Sequence, residues 1–81
     1  MNVDTGKRLE EAIRRSWEYI ADEVVYEHGP IDGEEARFMA LDRVTLLGGL
    51  SDEDKKKFWE IPHEKKVELA ERAMPEGRWV Y

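Results

Sequence analysis

The sequence lacks cysteine altogether. That absence excludes disulfide bonds, thiolate metal ligands and thiol nucleophiles, and it fits a reducing compartment. The chain also has no apolar run approaching the 18 or so residues that span a bilayer. Its first residues carry neither the basic nor the apolar segment of a secretory signal. We therefore expect a cytoplasmic protein with no membrane segment.

Nucleophiles and phosphate-binding loops are scarce as well. Ser16 lies within a helical pattern and Ser51 lies just before one, and neither occupies a turn like the nucleophile elbow of hydrolases. Gly6 lacks the preceding strand and the glycine spacing of a phosphate-binding loop. We therefore expect no enzymatic activity and no cofactor.

Two fragments begin like metal-binding motifs but lack features that those motifs require. His63-Glu64 opens like the zinc-protease pattern H-E-x-x-H, but the place of the second histidine is taken by Val67. Glu60 and His63 have the E-x-x-H spacing of di-iron bundles, but Pro62 interrupts the helix and no second copy exists. We predict no metal site at these fragments and interpret His63 as a packed histidine.

Helical periodicity, by contrast, runs through most of the chain, and 41% of the residues are hydrophobic. This pattern predicts a compact all-α fold, with residues 1–81 forming a single domain. The four helices are expected at about 5–27, 33–47, 52–61 and 62–74. The first should end at Gly29-Pro30. Its apolar residues recur at spacings of three and four and are predicted to be buried: Leu9, Ile13, Trp17, Ile20 and Val24.

Capping residues predict where the later helices begin. Asp32 and Ser51 precede the second and third helices, and Pro62 suits the first turn of the fourth. The second helix is apolar nearly all round, which predicts a central position. The expected core joins Trp17, Ile20, Val44, Leu47 and Phe58, and Leu47→Ala is expected to cost about 2–5 kcal/mol. The predicted buried stripe of the fourth helix is His63, Val67, Ala70 and Met74.

The C-terminal tail is apolar and contains two aromatic residues, in the order Trp79, Val80 and Tyr81. Two interpretations of this tail are open. It folds back over a small core that needs cover, or a partner captures it by strand addition.

The charge distribution is the feature that bears most on function. The net charge is −6, and no lysine or arginine occurs between Arg15 and Arg37, where seven carboxylates lie. This stretch is a solvated face, a docking surface for a basic partner or a divalent-cation site without EF-hand spacing. A solvated face is the simplest of these interpretations. Among the functional ones we favour docking, because tyrosines outside the apolar stripe accompany the acids, as aromatic residues do at interface hot spots. The predicted partner-binding residues, here called the acidic–aromatic surface, are Glu18, Tyr19, Asp22, Glu23, Tyr26 and Glu27.

The C-terminal third offers an alternative. Its basic face is defined by Lys55, Lys56, Trp59, Lys65 and Lys66, which predicts phosphate contacts with base stacking in a nucleic-acid-associated protein. Acidic residues one helical turn away neutralise part of that charge, in the predicted pairs Asp52/Lys56, Glu53/Lys57 and Glu68/Arg72. Because the whole chain is acidic, nucleic acid is the less favoured partner.

The sequence thus predicts a small acidic protein–protein interaction module, such as a regulator, an inhibitor or an assembly subunit, with a basic protein as its partner. A homodimer is a second expectation. It rests on four apolar residues outside the main stripes, namely Phe38, Met39, Leu46 and Trp59.

Overall fold

A computed structural model describes residues 3–75 of the chain. The helices in this range are α1 (Val3–His28), α2 (Gly33–Leu47), α3 (Asp52–Glu60) and α4 (His63–Ala73). No strand occurs among the described residues, and the fold is a compact all-α globule, as predicted. The tail at Trp79, Val80 and Tyr81 lies outside the described residues.

The helix boundaries follow the predicted caps. The carboxylate of Asp32 accepts a hydrogen bond from the Glu35 backbone N–H at 2.8 Å, and the Ser51 hydroxyl accepts one from the Asp54 N–H at 3.2 Å. Both bonds satisfy donors that a helix start leaves unpaired. Pro62 is an exception to the predicted numbering, because it is the N-cap residue of α4 and the helix begins one residue later.

Small residues bring α1 and α2 close together. Ala12 and Ser16 of α1 face Ala40 and the C-cap residue Gly48 of α2, and all four are buried. The Ser16 hydroxyl donates a hydrogen bond to the Ala40 carbonyl oxygen at 2.9 Å, which ties the two helices together. A Cβ atom added at Gly48 would lie 2.8 Å from the Ala12 Cβ, so the closest approach requires glycine.

The central position predicted for α2 is shared with the longer α1. α1 makes substantial contact with each of the other three helices, and α2 does so with α1 and α4 while burying mainly small residues along one side. Its Phe38 is 42% exposed and Leu46 is 74% exposed. The long helix α1 is central because its length allows it to contact all three shorter helices.

The predicted core is confirmed in its middle and corrected at its edges. Leu9, Ile13 and Trp17 are fully buried, and so are Val44, Ala70 and Met74, while Phe58 is nearly so. Ile20, Val24, Leu47 and Val67 are only half-buried. His63 is exposed rather than packed in the core, and its ring lies parallel to that of Phe38 with the centroids 6.3 Å apart.

Two arginines fix the C-terminal end of α4. Arg37 donates a hydrogen bond to the Met74 carbonyl oxygen at 3.0 Å, and Arg14 donates one to the Ala73 carbonyl oxygen at 3.4 Å. A cation at this end of a helix interacts favourably with the helix dipole. Because the two arginines belong to α2 and α1, α4 is held against one side of the α1–α2 pair.

An ion pair that the sequence did not reveal joins α3 to α1. Arg8 contacts both carboxylate oxygens of Asp54, with Nε 2.8 Å from Oδ2 and Nη2 3.2 Å from Oδ1. The carboxylate is almost entirely buried. The hydrogen bond from Arg8 is the main reason that the pKa of Asp54 lies below its ordinary value, in spite of the opposing effect of desolvation.

Candidate interaction site

All six residues of the acidic–aromatic surface are exposed on the second half of α1. The two tyrosines stand out, since Tyr19 is 76% exposed and Tyr26 is 91% exposed. The helix begins and ends as expected from its sequence, so the positions follow from helical geometry alone. Seven residues are nearly two turns, which places both tyrosines on nearly the same side of α1, beside the buried stripe.

The carboxylates of this surface make no ion pair or side-chain hydrogen bond within residues 3–75. The ion pairs of that part of the chain lie elsewhere: Arg8–Asp54, Arg15–Glu11, Lys57–Glu53, Lys65–Glu68 and Arg72–Glu10. The predicted Glu68/Arg72 pair is replaced by contacts to other partners, because Arg72 reaches Glu10 on α1. The second half of α1 therefore presents its negative charge to solvent without internal compensation.

Helical rotation divides the acidic–aromatic surface into two parts. Tyr19, Glu23 and Glu27 line a groove between α1 and α2, here called the α1/α2 groove, which encloses about 600 Å³. Glu18, Asp22 and Tyr26 lie outside it, on the outer side of α1. The predicted site therefore consists of a groove wall and an adjoining acidic strip.

The α1/α2 groove also contains apolar residues that were not among the predicted site residues. Ile20, Val24 and Met39 are half-buried and pack against the core. Leu46 and Leu47 lie on the α2 side, where Leu46 is largely exposed. The position of Met39 and Leu46 off the main apolar stripes was the available signal, but pairing them with α1 required the packing of two helices.

The charged residues of the α2 wall are Asp42 and Arg43, and His28 lies at the α1 end. With Glu23 and Glu27 opposite, carboxylates outnumber the arginine around an apolar floor. Such a groove is suited to an apolar side chain flanked by cations. Within residues 3–75 no group of three or more histidine, aspartate and glutamate side chains is arranged to hold a metal ion.

The basic face is less positive in the structure than in the sequence. Lys65 pairs with Glu68 at 3.4 Å. The Lys66 ammonium lies 4.6 Å from the centre of the Phe58 ring and 5.5 Å from that of Trp59, so it makes cation–π contacts within the protein. Lys55 and Lys56 remain on α3, beside a Trp59 that is 67% exposed. The structure thus places two of the four lysines in internal contacts.

A second hollow adjoins the basic face, between the start of α1, the end of α3 and α4, and it encloses about 730 Å³. Lys57, Lys65 and Arg72 line it, but so do Glu60 and Glu68. The mixture of charges gives no preference for an anion. None of the helices within residues 3–75 is both long enough and apolar enough to cross a membrane.

Comparison with known proteins adds no relative from which function could be transferred. No protein-family model, no curated protein and no solved structure gives a significant match to this chain.

Proposed function

We propose that this chain is a small protein–protein interaction module, with no catalytic role of its own, that binds a basic partner through the acidic–aromatic surface of α1. The observation that carries this proposal is the combination of uncompensated carboxylates with two highly exposed tyrosines on one helix. Some acidic side chains elsewhere in the described chain, such as Glu11 and Glu53, pair with nearby cations. The acidic–aromatic surface thus lacks cations of its own, and a basic partner would supply them.

Two roles are expected within this surface. Exposed charges mainly accelerate encounter with an oppositely charged partner, and salt weakens that effect. Aromatic side chains contribute contact area, so their removal mainly speeds dissociation. Asp22→Lys with Glu23→Lys should therefore slow association, and Tyr26→Ala should speed dissociation.

The test is affinity capture with matched charge variants. The wild-type chain, Asp22→Lys/Glu23→Lys and Glu60→Lys/Glu71→Lys are immobilised, and proteins retained from a lysate of the source cells are quantified by mass spectrometry. The control pair changes the net charge equally at exposed positions on α3 and α4. We expect basic proteins that the wild type and the control retain and that Asp22→Lys/Glu23→Lys loses.

Binding rates with the purified partner then complete the test. If the partner associates with Asp22→Lys/Glu23→Lys as fast as with the wild type, and leaves Tyr26→Ala no faster, the acidic–aromatic surface is only a solvated face. Retention on heparin that depends on Lys55 and Lys56 would instead favour the alternative, a nucleic-acid-associated protein.

A further inference from the structure

We infer that the α1/α2 groove binds an amphipathic helix of a partner protein, with basic residues on both flanks of its apolar stripe. This inference rests on the proposed function and deepens it, because it assigns the binding site to residues of α2 as well as α1. The groove, rather than the outer side of α1, then provides the apolar part of the contact.

The packing of α4 shows what kind of element an α1–α2 groove accommodates. α4 contacts both α1 and α2, and it lies along the flank of α2 that carries Arg37 and Leu41. The α1/α2 groove runs along the opposite flank, which carries Met39 and Leu46. A helix there would mirror the position of α4 and complete the cover of the pair. No described helix of this chain lines that groove apart from α1 and α2.

The dimensions of the groove fit a helix of a few turns. Its α1 wall extends from Tyr19 to His28, a distance of about 14 Å at the rise of an α-helix. The helix α4, which has 11 residues, spans a similar distance on the other flank. Ile20, Val24 and Met39 form a half-buried floor, with Leu46 at the edge. An occupant with apolar residues three and four positions apart would cover these side chains.

Charge selects the type of helix. Glu23 and Glu27 line the α1 wall and Asp42 lies on the α2 wall, against a single arginine, Arg43. An occupant with lysine or arginine on both flanks would meet a carboxylate on each side. A second copy of this chain would bring the same excess of carboxylates, and like charges placed together oppose binding. The groove therefore favours a basic helix of another protein over self-association.

The test uses a display library of helical peptides about 18 residues, or five turns, long. Their apolar positions follow a helical repeat, and the flanking positions are randomised over lysine, arginine, glutamate and glutamine. Selection against the wild-type chain should enrich lysine and arginine at the flanks. Selected peptides are then synthesised, and their dissociation constants are measured by fluorescence anisotropy.

Two variants with equal charge changes locate the contact. Leu46 lies in the groove, so Leu46→Glu should raise the peptide's dissociation constant by about tenfold or more. Trp59 is an exposed apolar residue on α3, outside the groove, so Trp59→Glu should leave the dissociation constant unchanged. Circular dichroism checks that both variants fold. Leu46→Ala, which adds no charge, should also weaken peptide binding, and it replaces Leu46→Glu in the test if that variant unfolds.

Three results would overturn the inference. The first is that selection enriches no basic peptides, and the second is that Leu46→Glu and Leu46→Ala both bind the selected peptides as tightly as the wild type. The third is that the wild type sediments as a dimer and Leu46→Glu as a monomer, which would make a second copy of the chain the occupant of the groove. If the partner captured by the acidic–aromatic surface is lost with Asp22→Lys/Glu23→Lys but kept with Leu46→Glu, the groove inference fails while the proposed function stands. If neither variant affects capture, both fail.

Discussion

Replacing Gly48 with alanine tests the close approach of α1 and α2 directly. The added Cβ would lie 2.5 Å from the Val44 carbonyl oxygen, 2.8 Å from the Ala12 Cβ and 3.0 Å from the Ala12 carbonyl oxygen. Two of these neighbours are backbone atoms, which cannot rotate away as a flexible side chain would. The helices must therefore move apart, or the end of α2 must distort. Backbone dihedral angles are not the obstacle, since φ of Gly48 is −81°.

The expected cost is that of overpacking a tight core, typically about 1–3 kcal/mol. Alanine also restricts the unfolded chain, which offsets about 0.4–1 kcal/mol of that cost. For a domain of this size each kcal/mol corresponds to about 4–8 °C in the melting temperature. Urea denaturation followed by far-ultraviolet circular dichroism measures the free energy of unfolding.

Gly6→Ala is the matched control, because a Cβ at Gly6, within α1, meets no atom within 4 Å. It should stabilise the protein by about 0.5–1 kcal/mol, the usual gain for this change inside a helix. Gly48→Ala as stable as Gly6→Ala would show that α1 and α2 do not approach at this point. Adding Ala12→Gly to Gly48→Ala should recover little of the loss, since the contacts with the two carbonyl oxygens remain and glycine inside a helix itself costs about 0.5–1 kcal/mol.

Three further predictions concern the core and the attachment of α3. Leu9→Ala, at a fully buried position, should lower the free energy of unfolding in urea by about 2–5 kcal/mol. Leu47→Ala should lower it clearly less, because Leu47 is half-buried. Equal losses for the two variants would contradict the burial of these residues described above. Asp54→Asn should destabilise the chain at neutral pH. The difference in stability from the wild type should shrink as the pH falls below 3.8, the ordinary pKa of the group, because the folded-state pKa is lower and protonation breaks the pair with Arg8. If the difference persists in acid, the ion pair is not its cause. Ser16→Ala should cost about 0.5–1.5 kcal/mol by removing the hydrogen bond to Ala40, and an unchanged denaturation midpoint would show that the bond contributes nothing.

The parts of the fold that depend on local sequence were predictable. Asp32 and Ser51 act as caps because their side chains accept a hydrogen bond from the backbone N–H three residues later, and both predicted helix starts are confirmed. The stripe of Leu9, Ile13 and Trp17 follows from the helical repeat, which is also a local property. Prediction was weakest for His63, where the repeat indicated a buried position but the residue is the first of α4 and is exposed.

The parts that depend on two helices at once were not predictable. Arg8 and Asp54 are separated by 46 positions along the chain, and each has an ordinary local interpretation, as a solvent-exposed charge and as an acid in a first helical turn. The same limit applies to the candidate site. Helical spacing placed Tyr19 and Glu23 on an exposed surface, but only the packing of α2 shows that they share a groove with Met39 and Leu46.

The close α1–α2 contact and the α1/α2 groove have a common physical origin. Helices that meet through residues such as Ala12, Ala40 and Gly48 have no room between them for large side chains. Larger residues must then lie along the two flanks of the contact. On one flank α4 covers them, and on the other Met39 and Leu46 stay accessible beside Tyr19. The apolar groove is therefore a consequence of the tight pairing, and the carboxylates along its walls determine which helix it favours.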